Sequence, residues 1–305
     1  MTTEKRKKPS PTRFSLVGAG RMGTALGRIL SRSSRFRLEG IICGSLASSR
    51  RAAARIGRGR GFSAATAAVG ESNLVLICVP DRQIAQVARA LAASDLCWKN
   101  RTVLHTSGAQ DRSELSALAR KGAHTGSIHP LQTLTGGQSD VRNLRGAPVF
   151  LEGDARAVRV GREIARALGG RAAVIPAEGK TAYHLCACFL SNYLVCLVSL
   201  GLDLLPNRSG RRFARDWTGL FTPLLRATVA NLEKGGPAGA LTGPISRGDS
   251  LTLKKHLDHL DKAAPELGEL HRLLALRAVS LAEKTGRLTP RTLSGLRRML
   301  RPRKK

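Results

Sequence analysis

Aromatic and acidic side chains are both scarce in this sequence of 305 residues. Aromatic residues make up 4% of the chain, and 51 lysines and arginines face only 21 aspartates and glutamates, which gives a formal net charge of +30. Few aromatic side chains means few platforms on which unpaired bases could stack, so a single-strand nucleic-acid binder is disfavoured. The charge excess makes anionic ligands candidate partners. A hydrophobic content of 42% is sufficient for one large or two medium cores.

The six cysteines form no CxxC pair, and five have apolar neighbours, which is typical of buried free thiols in a reducing compartment. We therefore expect a cytoplasmic protein. No signal peptide is recognisable, because the basic run from Lys5 to Lys8 is followed by prolines. The uncharged stretch 185–202 is long enough to cross a bilayer, but Ser191 and Asn192 lie at its middle. This favours a buried or dimer-forming helix over a membrane span.

Hydrophobic periodicity divides the chain into two parts. The first alternates short apolar runs with helical patterns, as in a parallel sheet with crossover helices. After Pro176 the period changes from two to about 3.6, which predicts helices. Strands are predicted over 14–18, 38–43, 74–79, 102–106, 124–128, 148–151 and 172–175, and helices over 22–33, 155–168, 180–205, 210–232, 251–261 and 265–285. The fold class is thus α/β, with a Rossmann-like, doubly wound, mostly parallel sheet over 13–176 and an all-helical domain over 177–290, between basic tails at 1–12 and 291–305.

A glycine pattern follows the first predicted strand. Gly18, Gly20 and Gly23 have the G-x-G-x-x-G spacing where a strand ends and a helix begins. In a dinucleotide-binding loop the first glycine makes a tight turn, the second lets the backbone approach a pyrophosphate, and the third lets the helix pack on the strand. A similar spacing at 59–64 lacks a preceding predicted strand. The predicted cofactor residues here are Gly18, Gly20, Arg21, Met22 and Gly23, with Val79 and Pro80 at the end of a neighbouring strand.

The end of the second predicted strand favours NADP(H) over NAD(H). An NAD enzyme places an acidic residue there, against the ribose 2'-hydroxyl. This chain instead has Ser45, followed by Arg50 and Arg51. Serine and arginine suit a 2'-phosphate, so we predict that these three residues bind one. The alternative is that the two arginines only form the solvated face of the next helix.

Polar residues also follow other predicted strands, at the edge where open parallel sheets bind ligands. Ser107 and Gly108 follow one strand, and His129 follows the next. In the helical half, His184 and Asn192 are separated by two steps of i,i+4 and therefore share one helix face. We expect these residues to face a common cleft.

Histidine is the side chain best matched to proton transfer near neutral pH. By position, His129 and His184 are favoured as catalytic residues over His105 and His124, and Asn192 is predicted to orient the substrate oxygen. Each of the three has a structural alternative. His129 could be a loop histidine held by backbone hydrogen bonds, His184 a hydrogen-bonded histidine at a domain junction, and Asn192 a hydrogen-bonded amide in the core.

Six segments of the sequence carry a resemblance to a known family. They are GAGRMG, LVLICVPD, LHTSGA, GSIHPLQT, AYHLCACFLSNYL and LTGPISRGD. They resemble a bacterial family of Rossmann-like proteins whose C-terminal half is a domain of unknown function, over about Phe14 to Glu283. More loosely, the chain is similar to pyrroline-5-carboxylate reductase, the 6-phosphogluconate and 3-hydroxyacid dehydrogenases, and ketopantoate reductase. The resemblance implies an NADP-binding domain, a helical domain that forms dimers, and a reductase or dehydrogenase activity.

The resemblance also implies substrate-binding positions. The turn of Ser107 and Gly108 resembles a small polar turn that touches substrate in the hydroxyacid dehydrogenases. His129 stands where pyrroline-5-carboxylate reductase has a Met-Pro-Asn loop. Thr242 and Gly243 begin a segment that resembles the loop with which that enzyme holds a substrate carboxylate.

In that segment Arg247 is expected to bind a substrate carboxylate, unless Asp249 pairs with it or caps the following helix. Two departures from the relatives stand out. The carboxylate-binding double glycine is absent, and the lysine that acts as acid and base in the hydroxyacid dehydrogenases has no clear counterpart, since His184 stands near its place.

The sequence predicts an NADP(H)-dependent oxidoreductase that acts, as a homodimer, on a small carboxylate-bearing carbonyl or imine such as a ketopantoate-like 2-oxo acid. No specific nucleic-acid partner, membrane or metal is expected; His256 and His259 lie three apart, but only Asp258 and Asp261 accompany them. The alternatives are a non-catalytic NADP-sensing module and a polyanion-binding protein.

Overall fold

The computed structural model describes residues 10–205 and 216–301. The chain forms two compact units, with the boundary between Val198 and Ser199. The sequence placed the boundary at Pro176, where the hydrophobic period changes. The helix that begins at Lys180 nevertheless belongs to the first unit, because Lys180 is buried against the end of the sheet.

Eight strands form one sheet in the order β3-β2-β1-β4-β5-β6-β7-β8. They are β1 (Thr12–Val17), β2 (Phe36–Ile42), β3 (Arg60–Phe62), β4 (Leu74–Ile77), β5 (Thr102–His105), β6 (His124–Pro130), β7 (Val149–Gly153) and β8 (Ala172–Val174). Neighbouring strands are parallel, except that β6 and β7 are antiparallel. The predicted doubly wound, mostly parallel sheet is confirmed. Strand β3 was not predicted, because its three residues at the sheet edge contain no apolar run.

Helices cover both faces of this sheet. They are α1 (Arg21–Leu30), α2 (Leu46–Ile56), α3 (Ala65–Val69), α4 (Asp81–Ala92), α5 (Ser116–Ala119), α6 (Ser139–Leu144) and α7 (Ala155–Leu168). Two further helices, α8 (Lys180–Leu190) and α9 (Asn192–Asp203), follow β8, and Lys180 is the one buried residue among them. Helices α1, α2, α6 and α7 pack into a hydrophobic core on one face, and α4 packs into a second core on the other. Burial on both faces explains the continuous apolar run of β4, in which all four residues are buried.

The predicted helix over 180–205 is interrupted. Ser191, with φ −126° and ψ −69°, separates α8 from α9. Among the described residues, one helical segment, Ala177–Asp203, is long and apolar enough to cross a membrane by length and composition. Its apolar side chains are exposed in the single chain; Phe189 is 62% exposed and Leu190 72%.

The second unit is helical, as predicted. Its helices are α10 (Trp217–Leu220), α11 (Thr222–Ala240), α12 (Ser250–Ala263), α13 (Pro265–Lys284) and α14 (Pro290–Met299). The predicted start of a helix at Gly210 lies outside the described residues. Helix α11 is kinked at Gly236, whose φ is +60°, next to Pro237.

The predicted basic tail over 291–305 needs correction, because α14 occupies most of it. Leu293, Leu296 and Leu300 are buried in the core of the second unit. Their spacing of three and four residues is that of a helix face. The prediction gave weight to the arginines of this segment and overlooked the leucines between them.

Candidate functional site

The glycine loop connects β1 to α1 at the carboxyl edge of the sheet. Gly18 has a φ of +87°, and a Cβ atom there would lie 2.6 Å from the carbonyl oxygen of Cys78. A Cβ on Gly23 would lie 2.5 Å from the carbonyl oxygen of Gly18. A Cβ on Gly20, in contrast, would meet nothing within 4 Å. The fold therefore requires glycine at the first and third positions but not at the second, which is where a ligand would cross the loop.

The start of α1 is suited to an anion. Gly20 is its N-cap residue and provides no side-chain hydrogen bond, and the first turn contains no acidic residue. Free N–H groups at a helix start attract negative charge. Val79 lies against Gly18, and Pro80 precedes α4. Arg21 is exposed and donates to the Leu134 carbonyl oxygen at 3.2 Å.

A second polar cluster lies where β2 leads into α2. Ser45 caps α2 and accepts a hydrogen bond from the backbone N–H of Ser48 at 3.2 Å. Arg51 donates from Nη2 to the Ser48 hydroxyl at 2.9 Å. Arg50 is exposed and has no side-chain hydrogen bond within the described part of the chain. Two hydroxyls and the Arg51 guanidinium thus meet at the start of a helix.

A buried lysine links the ends of several strands. Lys180, which is 2% exposed, donates from Nζ to the Ser107 carbonyl oxygen at 2.8 Å and to the Ser127 hydroxyl at 2.7 Å. Ser127 in turn donates to Glu152 at 3.2 Å. The Ser107 hydroxyl donates to Asp81 at 2.7 Å. This network joins the start of α4, the turn after β5, the strands β6 and β7, and the start of α8.

Burial lowers the pKa of Lys180 from 10.5 to about 8, although the carboxylates of Glu152, Asp111 and Asp81 oppose the shift. Burial also raises the pKa of Glu152. Lys180 is therefore charged at neutral pH, but it loses its proton at a lower pH than an exposed lysine does.

His105 and His124 occupy structural positions. Nε2 of His105 donates to the Asp111 carbonyl oxygen at 2.9 Å, so Nδ1 is the acceptor for the Ser107 N–H at 3.2 Å. Burial lowers the pKa of His105 to about 4, and the ring is neutral. His124 lies at the opposite end of β6, 3.4 Å from Asp154.

His129 and His184, the two predicted catalytic histidines, lie on either side of the turn after β5. Their ring centroids are 6.1 Å apart. Gly108 lies between them, and a Cβ on it would be 2.6 Å from Cδ2 of His184 and 3.0 Å from Nε2 of His129. Nδ1 of His129 and the hydroxyl of Tyr183 are hydrogen bonded at 2.7 Å. Glycine at this position lets both imidazoles touch the turn.

The His129 imidazole is neutral at physiological pH. Burial, together with the positive charge of Lys180, lowers its pKa to about 4. Burial raises the pKa of Tyr183, so its hydroxyl keeps its proton. If Tyr183 donates to Nδ1, the other ring nitrogen of His129 carries a proton and is a hydrogen-bond donor.

A cleft of about 650 Å³ opens beside the two histidines. Its lining residues are His129, Leu131, Gln132, Thr133, Leu134, His184, Ala187, Cys188, Leu190, Ser191, Asn192, Leu194 and Val195. Asn192 thus shares the cleft with both histidines, although the break at Ser191 interrupts the single helix face on which the i,i+4 spacing placed it with His184. None of these described lining residues is an arginine, lysine, aspartate or glutamate, although the chain has a net charge of +30.

The remaining predicted substrate residues lie in the second unit. Thr242 and Gly243 precede a 3-10 turn that ends at Arg247. Asp249 caps α12 by accepting hydrogen bonds from the Thr252 N–H and hydroxyl, and these bonds lower its pKa. Asp249 therefore caps the following helix, which is one of the two alternatives given for it above. Arg247 is exposed.

Lys180 is the principal residue that the sequence analysis missed. The resemblance indicated no counterpart of the dehydrogenase lysine, yet Lys180 lies one helical turn before His184, on the same helix face. A signal was present, because Lys180 is the single charged residue in the stretch 180–202. A lysine at the start of an uncharged helix either is exposed to solvent or lies in a buried polar site.

Two family models match the chain. A Rossmann-like domain matches residues 2–130, and a domain of unknown function, DUF2520, matches residues 147–278. The predicted combination of a Rossmann-like domain with a C-terminal domain of unknown function is confirmed. The second match begins at β7, well before the predicted domain boundary. No curated protein matches the sequence.

Solved structures share the fold over nearly the whole chain. A protein from Bacteroides fragilis, named as a candidate NADP oxidoreductase, is 22% identical with a TM-score of 0.66, over 90% of this chain and 99% of that one. A protein from Thermotoga maritima is 25% identical with a TM-score of 0.66, over 90% and 100% of the two chains. The 1-pyrroline-5-carboxylate reductase from Streptococcus pyogenes is 15% identical with a TM-score of 0.55, over 95% and 100%.

Proposed function

We propose that this protein is an NADP(H)-dependent oxidoreductase that reduces, or in reverse oxidises, a small carbonyl or imine compound. The observation that carries the proposal is the open Gly20 between two glycines that the fold itself requires. Two fold relatives support it, since one is named as a candidate NADP oxidoreductase and another as a 1-pyrroline-5-carboxylate reductase.

The residues of the first unit fit NADP(H). The pyrophosphate would lie over Gly20 at the uncapped start of α1. The 2'-phosphate would bind at the start of α2, where the Ser45 and Ser48 hydroxyls and the Arg51 guanidinium already meet. When bound, the cofactor supplies or accepts the hydride.

Arg51 and Arg50 should differ in their effect on cofactor choice. We expect Arg51→Ala to weaken NADPH binding about 10- to 100-fold with little effect on NADH, because one charged hydrogen bond contributes about 1.5–3 kcal/mol. Arg50→Ala, which removes an equal charge from the neighbouring residue, should change NADPH affinity less. Fluorescence titration of both variants with both cofactors tests the assignment, and equal losses of NADPH affinity would refute it.

His129 and His184 are the groups placed to contact the reacting heteroatom in the cleft. A neutral His129 that donates from Nε2 would polarise a carbonyl oxygen or imine nitrogen, and Asn192 would orient the substrate from the start of α9. Lys180 does not line the cleft. It acts as a positioning residue that holds the Ser107–Gly108 turn, and its charge adds to the burial that lowers the pKa of His129.

The composition of the cleft favours a substrate whose reacting end is uncharged. Its side chains are apolar or neutral, and a carboxylate among them would lose hydration without gaining a cation. The carboxylate-bearing substrate expected from the sequence would need a cation from outside this set of residues. Kinetic measurements can distinguish neutral substrates from carboxylate-bearing ones.

We expect neutral ketones or cyclic imines to be better substrates than their carboxylate-bearing analogues. In matched pairs, followed by loss of NADPH absorbance, the neutral compound should have a kcat/KM about tenfold higher or more, because a carboxylate would exchange part of its hydration for apolar and neutral side chains without gaining a cation. A preference for the acids, ketopantoate-like 2-oxo acids included, would reinstate the carboxylate hypothesis. Absence of turnover with intact NADPH binding would favour the sensing module.

The exposed apolar side chains of α8 and α9 support the proposed homodimer. Phe189, Leu190 and Val195 are each more than half exposed in the single chain. Apolar patches of this kind mark protein or membrane contacts, and a second copy of the chain is the occupant we propose. A cytoplasmic location agrees with six free cysteines. Cys78 is the one buried thiol among them, whereas the sequence predicted burial for five.

A further inference from the structure

One helix layer of the sheet contains far more positive charge than the cofactor requires. Helices α1, α2, α6 and α7 share a core on one face. Their arginines are Arg21, Arg28, Arg50, Arg51, Arg55, Arg142, Arg156, Arg159, Arg162 and Arg166, and their acidic residues are Asp140 and Glu163. On the opposite face, α4 has two arginines and one aspartate, and α3 and α5 have no charged residue. We call the four arginine-bearing helices the arginine layer.

Carboxylates do not neutralise this layer. None of its arginines forms an ion pair with a carboxylate in the described parts of the chain. Asp140 is buried and accepts hydrogen bonds from the Thr135 and Gly136 N–H groups. The arginines therefore repel one another without compensation inside the chain, which favours binding of an external anion.

Helix dipoles account for only some of these arginines. Arg28, Arg55, Arg142 and Arg166 lie in last turns, where positive charge is stabilising. Arg159 and Arg162 lie in the middle of α7, outside its terminal turns. Together with Arg166 they have the spacing i, i+3, i+7 and form one exposed stripe.

We propose that the arginine layer binds the phosphate backbone of double-stranded nucleic acid, without reading its sequence. Helix α7 has 14 residues and is about 21 Å long. A duplex carries about one negative charge per 1.7 Å of its axis, so a segment of this length presents many phosphates to the layer. Arginine forms two parallel hydrogen bonds with a phosphate, and all the basic residues of the layer are arginines.

The shape and composition of the layer favour a duplex over the other polyanions. No large hydrophobic side chain is exposed on these four described helices, so there is nothing to insert into a lipid surface. The layer also lacks aromatic residues, on which single-stranded bases would stack. Backbone contact alone implies salt-dependent, sequence-independent binding.

The test compares two variants with equal loss of charge. Arg159→Gln/Arg162→Gln/Arg166→Gln removes the stripe of α7. Arg89→Gln/Arg120→Gln/Lys121→Gln removes three exposed cations from the opposite face. Neither set includes a proposed cofactor or cleft residue. Binding to a fluorescent DNA duplex and an RNA duplex of random sequence is measured by anisotropy at several salt concentrations, with vesicles of anionic lipid as a separate arm.

We expect the wild type to bind both duplexes with micromolar affinity. The α7 variant should bind about tenfold more weakly or worse, and the slope of log K against log salt should fall by about 0.9 for each DNA phosphate that the variant no longer neutralises. The opposite-face variant should remain within about twofold of the wild type. Both variants should keep wild-type NADPH affinity, which shows that they are folded. Equal weakening in the two variants, no duplex binding by the wild type, or tighter binding to vesicles than to duplexes would each overturn the proposal.

Discussion

Replacement of Gly20 by aspartate is expected to abolish NADPH binding. The backbone there is extended, with φ −68° and ψ −155°, and a Cβ meets nothing within 4 Å, so the substitution leaves the fold unstrained. The new carboxylate would face the pyrophosphate across the loop. Like charges so placed cost several kcal/mol, which corresponds to about a 100-fold loss of affinity or more. Calorimetric titration of the wild type and the variant with NADPH measures this loss of affinity.

Gly295→Asp is the matched control for this experiment. Gly295 lies in α14, and a Cβ there also meets nothing within 4 Å. The Gly295→Asp variant should bind NADPH with wild-type affinity. Gly23→Ala gives a second contrast, because its Cβ would clash with the Gly18 carbonyl, so it should lower the thermal midpoint of unfolding. If Gly20→Asp still bound NADPH with wild-type affinity, the cofactor could not cross the loop at this point.

Lys180→Met is expected to lower kcat about 100-fold while NADPH affinity stays unchanged. The methionine cannot hold the Ser107 carbonyl or the Ser127 hydroxyl, so the turn that touches both imidazoles is no longer fixed. Misplacement of a catalytic group by about 1 Å is enough for a 100-fold effect. Because the charge of Lys180 lowers the pKa of His129, that pKa should rise in the variant. Steady-state kinetics and NMR titration of the imidazole test both effects.

The pH dependence of stability checks the burial of Lys180 independently. Its pKa in the folded state is lowered to about 8, against 10.5 when exposed, so the unfolded chain binds more protons between these values. The wild type should therefore gain stability relative to Lys180→Met as the pH rises from 8 to 10.5, by up to about 3 kcal/mol. A stability difference that is flat in pH would contradict the lowered pKa of Lys180, and a variant with wild-type kcat would rule out its positioning role.

Local patterns in the sequence were sufficient for the cofactor loop and the strand ends. Gly18, Gly20 and Gly23 have their roles set by spacing between one strand and one helix. His129 was located by the rule that parallel strands present ligand residues at one edge, whereas His184 was selected by its helical spacing from Asn192. Both inferences need only short-range periodicity and the sheet topology.

Other features depend on packing that a local pattern does not contain. Lysine is almost never fully buried, so the burial of Lys180 follows only from its partners, Ser107 in the turn after β5 and Ser127 on β6. The uncharged lining of the cleft comes from two separated segments that meet in space. The pairing of Arg51 with Ser48, but not of Arg50, depends on side-chain direction at the start of α2.

The central claim is that NADPH binds across the glycine loop and at the start of α2. Amide hydrogen exchange measures this directly, with NADPH and without it. We predict slower exchange in the presence of NADPH at residues 18–23 and 45–51, with little change in α14. Unchanged exchange in both segments at a saturating concentration of NADPH would contradict the account.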